Sequence, residues 1–288
     1  MITFFLMNLK GLNVLKSIIS SGKKNIIKEV ISSQDKNVIN DYYLDIVELC
    51  ESNSIIFFNK NNIKNISFDY GIAIGWRWMI KNNKNLIVLH DSLLPKNRGF
   101  SPLVTSIISG DERIGVTALW ACENYDEGDI ISSSFINIEY PIKIQKAIEL
   151  ISECYSDLVL YILNIIEKKQ ELPRIKQDES LATYCLWRDE EDLKINWNDS
   201  ASIIVRHIDA VGFPYNGAYF VYNDLKYIVH NAIEICDKNI ENRTPGKIFK
   251  IEEDGIIIVC KTGLVKLTDI FLENKDKIIF NKLKVRLK

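Results

Sequence analysis

The sequence predicts an α/β fold with a mainly parallel sheet, followed by a smaller, β-barrel-like region. Three observations predict it. Over the first third, short apolar runs alternate with segments of helical period, the signature of a parallel sheet covered by helices. A long amphipathic stretch between Pro141 and Pro173 closes that pattern. Beyond about residue 212 the helical period disappears, and short strand-like runs follow one another between Gly, Asn and Asp.

Each element has a local reason. "ITFFLM" is a short apolar run, and "LKGLNVLKSIISSG" places apolar residues at helical spacing until Gly22. "NIIKEVIS" reads as a second strand. "NDYYLDIVELCESN" reads as an amphipathic helix capped by Asn40 or Asp41. "SIIFFN", "FDYGIAIGW" and "NLIVLH" are the third, fourth and fifth strands, with Gly71 and Gly75 permitting close backbone approach. "LVTSIISGD" is a helix that stops near Gly110. "RIGVTALWA" and "DIISSSFINI" are strands joined by the turn-rich "CENYDEG". A helix follows from about Ile142 to Gln170, with Ile144, Ala147, Ile148, Ile151, Tyr155, Leu158, Val159 and Ile162 on one face. The polar, aperiodic 176–198 reads as a linker between a domain at 1–175 and one at 199–288. "SASIIVRHIDAVG" is a helix capped by Ser200 and ended by Gly212, and five short strands complete the chain.

Composition narrows the function classes. The chain has 288 residues, 47% hydrophobic and 26% charged, with a formal net charge of −2, which is ordinary globular composition. No apolar run approaches the ~18 residues that span a bilayer. The start, "MITFFLMNLKGLNVLKSIISSG", lacks a basic leader and a small-residue cleavage site, so it reads as strand then helix rather than as a signal peptide. The six cysteines form no C-x-x-C pair and have no nearby histidine at ligand spacing, which points to reduced thiols in the cytoplasm and to no metal. Lys residues are dispersed, so no basic stripe points to nucleic acid. There is no Gly-rich dinucleotide fingerprint, phosphate-binding Walker loop, G-x-S-x-G or zinc motif.

Three features bear chemistry. His90 ends the fifth strand and opens the loop "DSLLPKNRG". "YDEGD", Tyr125 to Asp129, forms the turn between two strands. "GIAIGWRWMI" ends the strand before His90. Ligands of open α/β sheets bind beyond the carboxyl ends of the strands, where His90 lies. A carboxylate beside an imidazole orients it and raises its basicity. His207 and His230 have no such partner at useful spacing and read as structural.

The segment "LHDSLLPKNRGFSPLVTSIISGDERIGVTAL" followed by "YDEGDII" resembles the folate-dependent formyltransferases, with their pattern of Asn-x-His, Ser-Leu-Leu-Pro, Arg-Gly, Gly-(Val/Thr)-Thr and Asp-x-Gly. "EDLKINWNDSASIIVRHIDAVGFPYNGAY" and "PGKIFKIEEDGIIIVCKTGLVKL" are similar to the C-terminal barrel domain of methionyl-tRNA formyltransferases and their sugar-modifying relatives. The resemblance implies a Rossmann-like catalytic domain and N10-formyltetrahydrofolate as formyl donor. It implies a donor site formed by Gly75, Trp76, Arg77, Trp78, Met79, Ile80, Val88 and Asp129. His90 would assist proton movement as an amine attacks the formyl carbon, and Asp126 would hold His90 or a bridging water. Ser92, Leu93, Lys96, Arg98 and Gly99 are the expected acceptor contacts, with Lys96 or Arg98 meeting a diphosphate. Tyr184, Trp187, Phe213 and Tyr215 could stack on a base or sugar, or simply pack at the domain junction.

The chain departs from that family at one position. The family asparagine stands two residues before the histidine, where this chain has Val88, which neither donates nor accepts a hydrogen bond. Asn85 is no substitute: it lies on the opposite face of the strand and roughly 17 Å from His90, at about 3.3 Å per residue. Loss of an oxyanion donor typically costs about 10²–10³ in rate. The candidate replacements are the Ser92 hydroxyl, backbone N–H groups of residues 91 to 94, Lys96, Arg98 and protonated His90. A non-catalytic folate- or nucleotide-binding homologue is the alternative that Val88 leaves open. The region around the second strand, "ISSGKKNIIKEVISSQDKN", is short and has no arginine, and the net charge is negative, which argues against tRNA as acceptor. A nucleotide-linked amino sugar, as in surface-polysaccharide synthesis, is the expected acceptor, no membrane is involved, and a homodimer is compatible with the small domain.

Overall fold

The fold is taken from a computed structural model that describes residues 1–63, 67–80, 84–273, 276–278 and 280–288. The elements run β1 (Ile2–Leu6), α1 (Asn8–Ser20), β2 (Ile27–Ser32), α2 (Tyr43–Ser52), β3 (Phe57–Asn59), β4 (Tyr70–Ile74) and β5 (Leu86–His90). Then come β6 (Arg98–Gly99), α3 (Pro102–Ser109), β7 (Arg113–Trp120), β8 (Ile130–Asn137), α4 (Ile144–Glu167) and β9 (Tyr184–Cys185). The chain ends with α5 (Ala201–Val211), β10 (Ala218–Tyr222), β11 (Leu225–Ile235), β12 (Ile248–Glu252), β13 (Gly255–Val259) and β14 (Leu264–Leu272). They form two compact units. One comprises Met1–Leu103, Glu112–Ile138 and Lys146–Leu186; the other comprises Val104–Asp111, Glu139–Gln145 and Trp187–Lys288.

The first unit is built on a seven-stranded sheet of order β3-β2-β1-β4-β5-β7-β8. The pairs from β3 through β5 are parallel, and β7 and β8 join antiparallel. Every residue of β1 is buried, as a central parallel strand covered on both faces requires. The order reverses between β1 and β4: β2 lies to one side of β1 and β4 to the other. A crevice at such a reversal, beyond the carboxyl ends of the strands, is the usual ligand site. β5, which ends at His90, neighbours β4 there.

The second unit is a five-stranded antiparallel sheet of order β10-β11-β14-β13-β12. Its two edges are not left open. Lys288 N–H donates to the Val221 carbonyl and receives a bond from Val221 N–H at 2.9 and 2.7 Å. Further back, Leu287 N–H donates to Gly246 and Ile248 N–H donates to Val285, at 2.8 and 3.1 Å. One extended segment thus pairs with both edge strands and closes the sheet, which removes its edges as a template for aggregation. α5 packs on β11 and β14. Ser200 caps it as expected, its hydroxyl accepting from Ile203 N–H at 3.3 Å.

The start of α2 differs from the expectation. Neither Asn40 nor Asp41 caps it: Tyr42 takes that place in a left-handed conformation. Asn40 and Asp41 instead accept from the N–H two residues on, at 3.2 and 3.1 Å, forming turns that compete with the helix.

Candidate functional site

The site begins at the end of β5. His90 is only 8% exposed, and its cross-strand partner on β7 is Thr117. The ring has two distinct contacts. Nε2 lies 2.8 Å from the Asn97 carbonyl, and a carbonyl only accepts, so Nε2 bears the proton. That leaves Nδ1 as the basic nitrogen. It faces Asp126 Oδ1 at 3.4 Å. A proton taken up at Nδ1 would therefore be stabilised at once by a carboxylate, the arrangement a general base requires.

Asp126 is fixed by its turn. It adopts a left-handed conformation, φ +60°, which for a non-glycine residue persists only where its surroundings enforce it. Its Oδ2 accepts from Gly99 N–H at 2.9 Å, and its carbonyl accepts from Gln177 Nε2 at 2.7 Å. The turn tolerates only glycine at 128, where a Cβ would lie 1.7 Å from the Trp120 carbonyl oxygen. Gly99 is equally constrained: its φ is +96° and a Cβ would come within 2.5 Å of the Cys185 carbonyl.

Arg98 turns inward. It is 0% exposed. Its Nη1 and Nη2 each bond a Glu179 oxygen at 2.8 Å, its Nε and Nη2 meet Gln177 Oε1 at 3.1 and 2.8 Å, and Nη1 reaches the Tyr184 hydroxyl at 3.2 Å. The bonds to Glu179, and after the cost of burial those to Tyr184, hold the guanidinium pKa above its ordinary value. Gln177 in turn donates to the Asp126 and Gly128 carbonyls. Arg98 therefore braces the Asp126 turn through Gln177, and its charge is spent inside the protein.

An apolar cluster lies on the sheet face that Val88 shares with His90. Val88, Trp76, Ile80 and Phe68 pack on a buried cluster of Phe5, Ile31, Ala73 and Leu86. Trp76 meets Phe5 and Trp78 edge-on, at centroid distances of 5.2 and 5.1 Å. The Trp76 Nε1–H is buried and has no hydrogen-bond partner among the described residues. Apolar walls with an unmatched donor fit a flat heteroaromatic ring that carries acceptor atoms.

Each of the remaining expected contacts has its own surroundings. Gly75 is left-handed where β4 ends, its backbone against Met7. Arg77 is half exposed and paired with buried Asp35 at 2.9 Å. Trp78 lies under the Lys60 ammonium at 3.9 Å, and Met79 is exposed. Asp129 contributes its carbonyl to Trp120 N–H at 2.9 Å. Ser92 is 3% exposed, Leu93 is half buried and Lys96 is exposed. The aromatic rings of Tyr184, Trp187 and Phe213 are exposed to different degrees, and Tyr184 accepts from Arg98.

Several groups had no signal in the sequence. Asn97 acts through its backbone carbonyl, 7 residues from His90, and Gln177 through its side-chain amide, 51 and 49 residues from the carbonyls it meets. Asp91, although next to His90, faces away to other partners: Lys10 Nζ at 2.5 Å and the Tyr155 hydroxyl. Burial opposes its charge, but Lys10 and Tyr155 outweigh that and lower its pKa below the usual carboxylate value.

Comparison with known proteins identifies the family. A family model described as Formyl transferase matches residues 65–149, and one described as Formyl transferase, C-terminal domain, matches residues 188–283. The methionyl-tRNA formyltransferase of Malacoplasma penetrans is 32% identical over 250 residues, covering 82% of this chain and 77% of that protein. Among solved structures, the N-formyltransferase from Helicobacter canadensis, in complex with folinic acid and dTDP-3-aminofucose, superposes with a TM-score of 0.72 at 17% identity, over 94% of this chain and 99% of that one. WlaRD, a sugar 3N-formyl transferase solved with dTDP and 5-N-formyl-THF, superposes with a TM-score of 0.70 at 20% identity, over 96% and 98%. With both domain models matched in order, and a relative at this identity spanning most of the chain, the protein belongs to the formyl transferase family.

Proposed function

We propose that this chain transfers the formyl group of N10-formyltetrahydrofolate to the amine of a nucleotide-linked amino sugar. The observation that supports it most is the His90 Nδ1–Asp126 pair, 3.4 Å apart, at a strand end beside the apolar cluster that Trp76, Ile80 and Val88 flank. The cluster offers the apolar surface and the unmatched donor that suit a pterin ring, and Gly75 to Ile80, Val88 and Asp129 are the residues we assign to hold it. Bound there, the folate would present a formyl carbon to an amine. The amine nitrogen forms the new C–N bond, and His90 Nδ1 accepts the proton it sheds. Asp126 stabilises the resulting imidazolium. The same proton then passes to the departing folate nitrogen as its bond to the formyl carbon breaks, giving a formamide and tetrahydrofolate. Burial of His90 keeps bulk water from competing with the amine.

Two points support a sugar-linked acceptor. The two solved sugar-type enzymes match nearly the whole chain in fold. The connection from β2 to α2 has Lys36 as its only basic residue, against Asp35 and Asp41, which is little to hold phosphates with. The six unpaired cysteines accord with a cytoplasmic site of action, and no helix of the described residues is long and apolar enough to cross a membrane.

Two observations favour a second reading, methionyl-tRNA: the relative that is 32% identical is a methionyl-tRNA formyltransferase, and a row of cations lies on the small unit. In the segment that closes the barrel, Val285 and Leu287 are buried while Lys282, Lys284, Arg286 and Lys288 are exposed. Alternation sets Lys284, Arg286 and Lys288 in a row on the outward side, with Lys282 just before it. A polyanion held by four such cations would lose affinity with a log–log salt slope of roughly −3. The test is tetrahydrofolate release from N10-formyltetrahydrofolate with dTDP-3-aminofucose and related nucleotide-linked amino sugars, and with methionyl-tRNA. Turnover on a sugar, abolished in a folded His90→Ala variant, is expected. Turnover on methionyl-tRNA alone, falling steeply with salt, would replace the sugar reading.

A further inference from the structure

Formyl transfer passes through a tetrahedral carbon bearing an oxyanion, and that oxygen needs a fixed donor in a dry site. The side chains that β5 presents beside the site are Val88 and His90, and neither has a donor to spare. Val88 has none, and His90 Nε2–H is committed to Asn97. Part of the neighbouring loop is occupied as well. Ser92 N–H donates to the His90 carbonyl at 2.8 Å, Leu94 N–H to Thr117 Oγ1 at 3.1 Å, and the Arg98 guanidinium to Gln177, Glu179 and Tyr184. One side chain of the described residues around this strand end is different. The Ser92 hydroxyl is buried and has no hydrogen-bond partner among the described residues. A buried hydroxyl left unmatched is costly, so its retention calls for a use.

Its position suggests the use. The Ser92 carbonyl accepts from Thr117 Oγ1 at 2.7 Å, and Thr117 is the residue opposite His90 across the β5–β7 pairing. One threonine thus holds Ser92 beside the base. The other unmatched polar atoms of this unit are placed otherwise. Ser32 ends β2, three strands from β5 and so about 14 Å away. Asn8 Oδ1 accepts and cannot donate. Trp76 belongs to the apolar cluster, packed on Phe5 of β1.

We propose that the Ser92 hydroxyl donates to the formyl oxygen as it becomes an oxyanion, supplying the donor that Val88 lacks. The proposal rests on the formyl-transfer reading above. The hydroxyl keeps its own proton throughout, so the proton balance through His90 is unchanged.

The test uses the full chain with N10-formyltetrahydrofolate and whichever acceptor of the panel the wild type turns over. Ser92→Ala should lower kcat by about 10²-fold or more, leave KM for both substrates unchanged, and leave the melting temperature unchanged or raised, because no hydrogen bond is lost. Val88→Asn placed in the Ser92→Ala background should recover part of the lost kcat, since an amide donor then faces the site two residues from His90. Ser92→Cys, close in size but a weak donor, should fall between. A Ser92→Ala kcat within threefold of the wild type would overturn the proposal. So would a kcat loss accompanied by a lowered melting temperature, which marks a packing role. Absence of turnover by the wild type on every acceptor would defeat the formyl-transfer reading itself and the role of Ser92 with it, whereas an active wild type with an equally active Ser92→Ala removes only the latter.

Discussion

Gly128→Ala isolates the placement of the carboxylate from its chemistry, since no ionisable group changes. A Cβ at 128 would lie 1.7 Å from the Trp120 carbonyl oxygen and 2.9 Å from its carbon. Both atoms are backbone at the end of β7, and Trp120 N–H is itself tied to the Asp129 carbonyl at 2.9 Å, so neither side yields easily. Real Cβ contacts do not fall below 3.0 Å, so the turn must retreat by about 1.3 Å, from 1.7 to 3.0 Å. Asp126 sits two residues earlier on the same turn, already 3.4 Å from His90 Nδ1. Moving it by that amount takes the pair beyond ion-pair range. Misplacement of about 1 Å in a reacting constellation costs on the order of 10²-fold in rate, and strain of this kind costs about 1–3 kcal/mol in stability. The expected result is a folded protein with a modestly lower melting temperature and a kcat reduced about 100-fold, measured by tetrahydrofolate release. A Gly128→Ala variant that keeps half the wild-type kcat would refute the claim that the turn sets the Asp126–His90 geometry.

Two other predictions follow from the structure. Arg98→Lys should not preserve function. A single ammonium cannot reproduce the two-pronged contact with Glu179 while also holding Gln177, so kcat should fall together with the melting temperature; a variant equal to the wild type in both would show that Gln177 holds the Asp126 turn unaided. The pH dependence of folding should reflect His207, whose pKa is lowered from 6.5 chiefly by burial and then by the Arg188 charge. Its unfolded form binds the proton more readily. The stability His207 contributes is therefore complete above about pH 6.5 and lost as pH falls through the lower folded value, with a slope of up to about 1.4 kcal/mol per pH unit. His230, lowered mainly by burial, adds in the same direction. Melting curves of the full chain should fall below pH 6.5, and His207→Leu should flatten that fall; an unchanged profile would contradict it.

The division of labour between sequence and tertiary structure is visible residue by residue. Periodicity sufficed for the strands from β1 to β5, because alternation between burial on two faces and helical amphipathicity is a local pattern. It also sufficed for Ser200, whose cap spans three residues. It did not suffice for α2, where Asn40 and Asp41 satisfy nearby turns rather than the helix, a competition between two local geometries that composition does not rank.

At the site, sequence alone determined that His90 stands at a strand end, that a glycine-bearing acidic turn exists downstream, and that Val88 brings no donor. Only the tertiary structure decided which atoms meet. It set His90 Nε2 on Asn97, leaving Nδ1 to face Asp126. It turned Arg98, a candidate for an acceptor's phosphates, into an internal brace for the Asp126 turn. It aimed Asp91, the nearest carboxylate to His90 in sequence, at Lys10 and Tyr155 instead. It also left the Ser92 hydroxyl buried and unmatched. For the contacts of Asp126, Arg98 and Asp91 the physical reason is shared. Hydrogen-bond partners separated by 27 to 81 residues, as for Asp126 with Gly99 and Arg98 with Glu179, are chosen by how strands stack and turns fit. That choice depends on steric limits such as those at Gly99 and Gly128, which act only once the chain is folded.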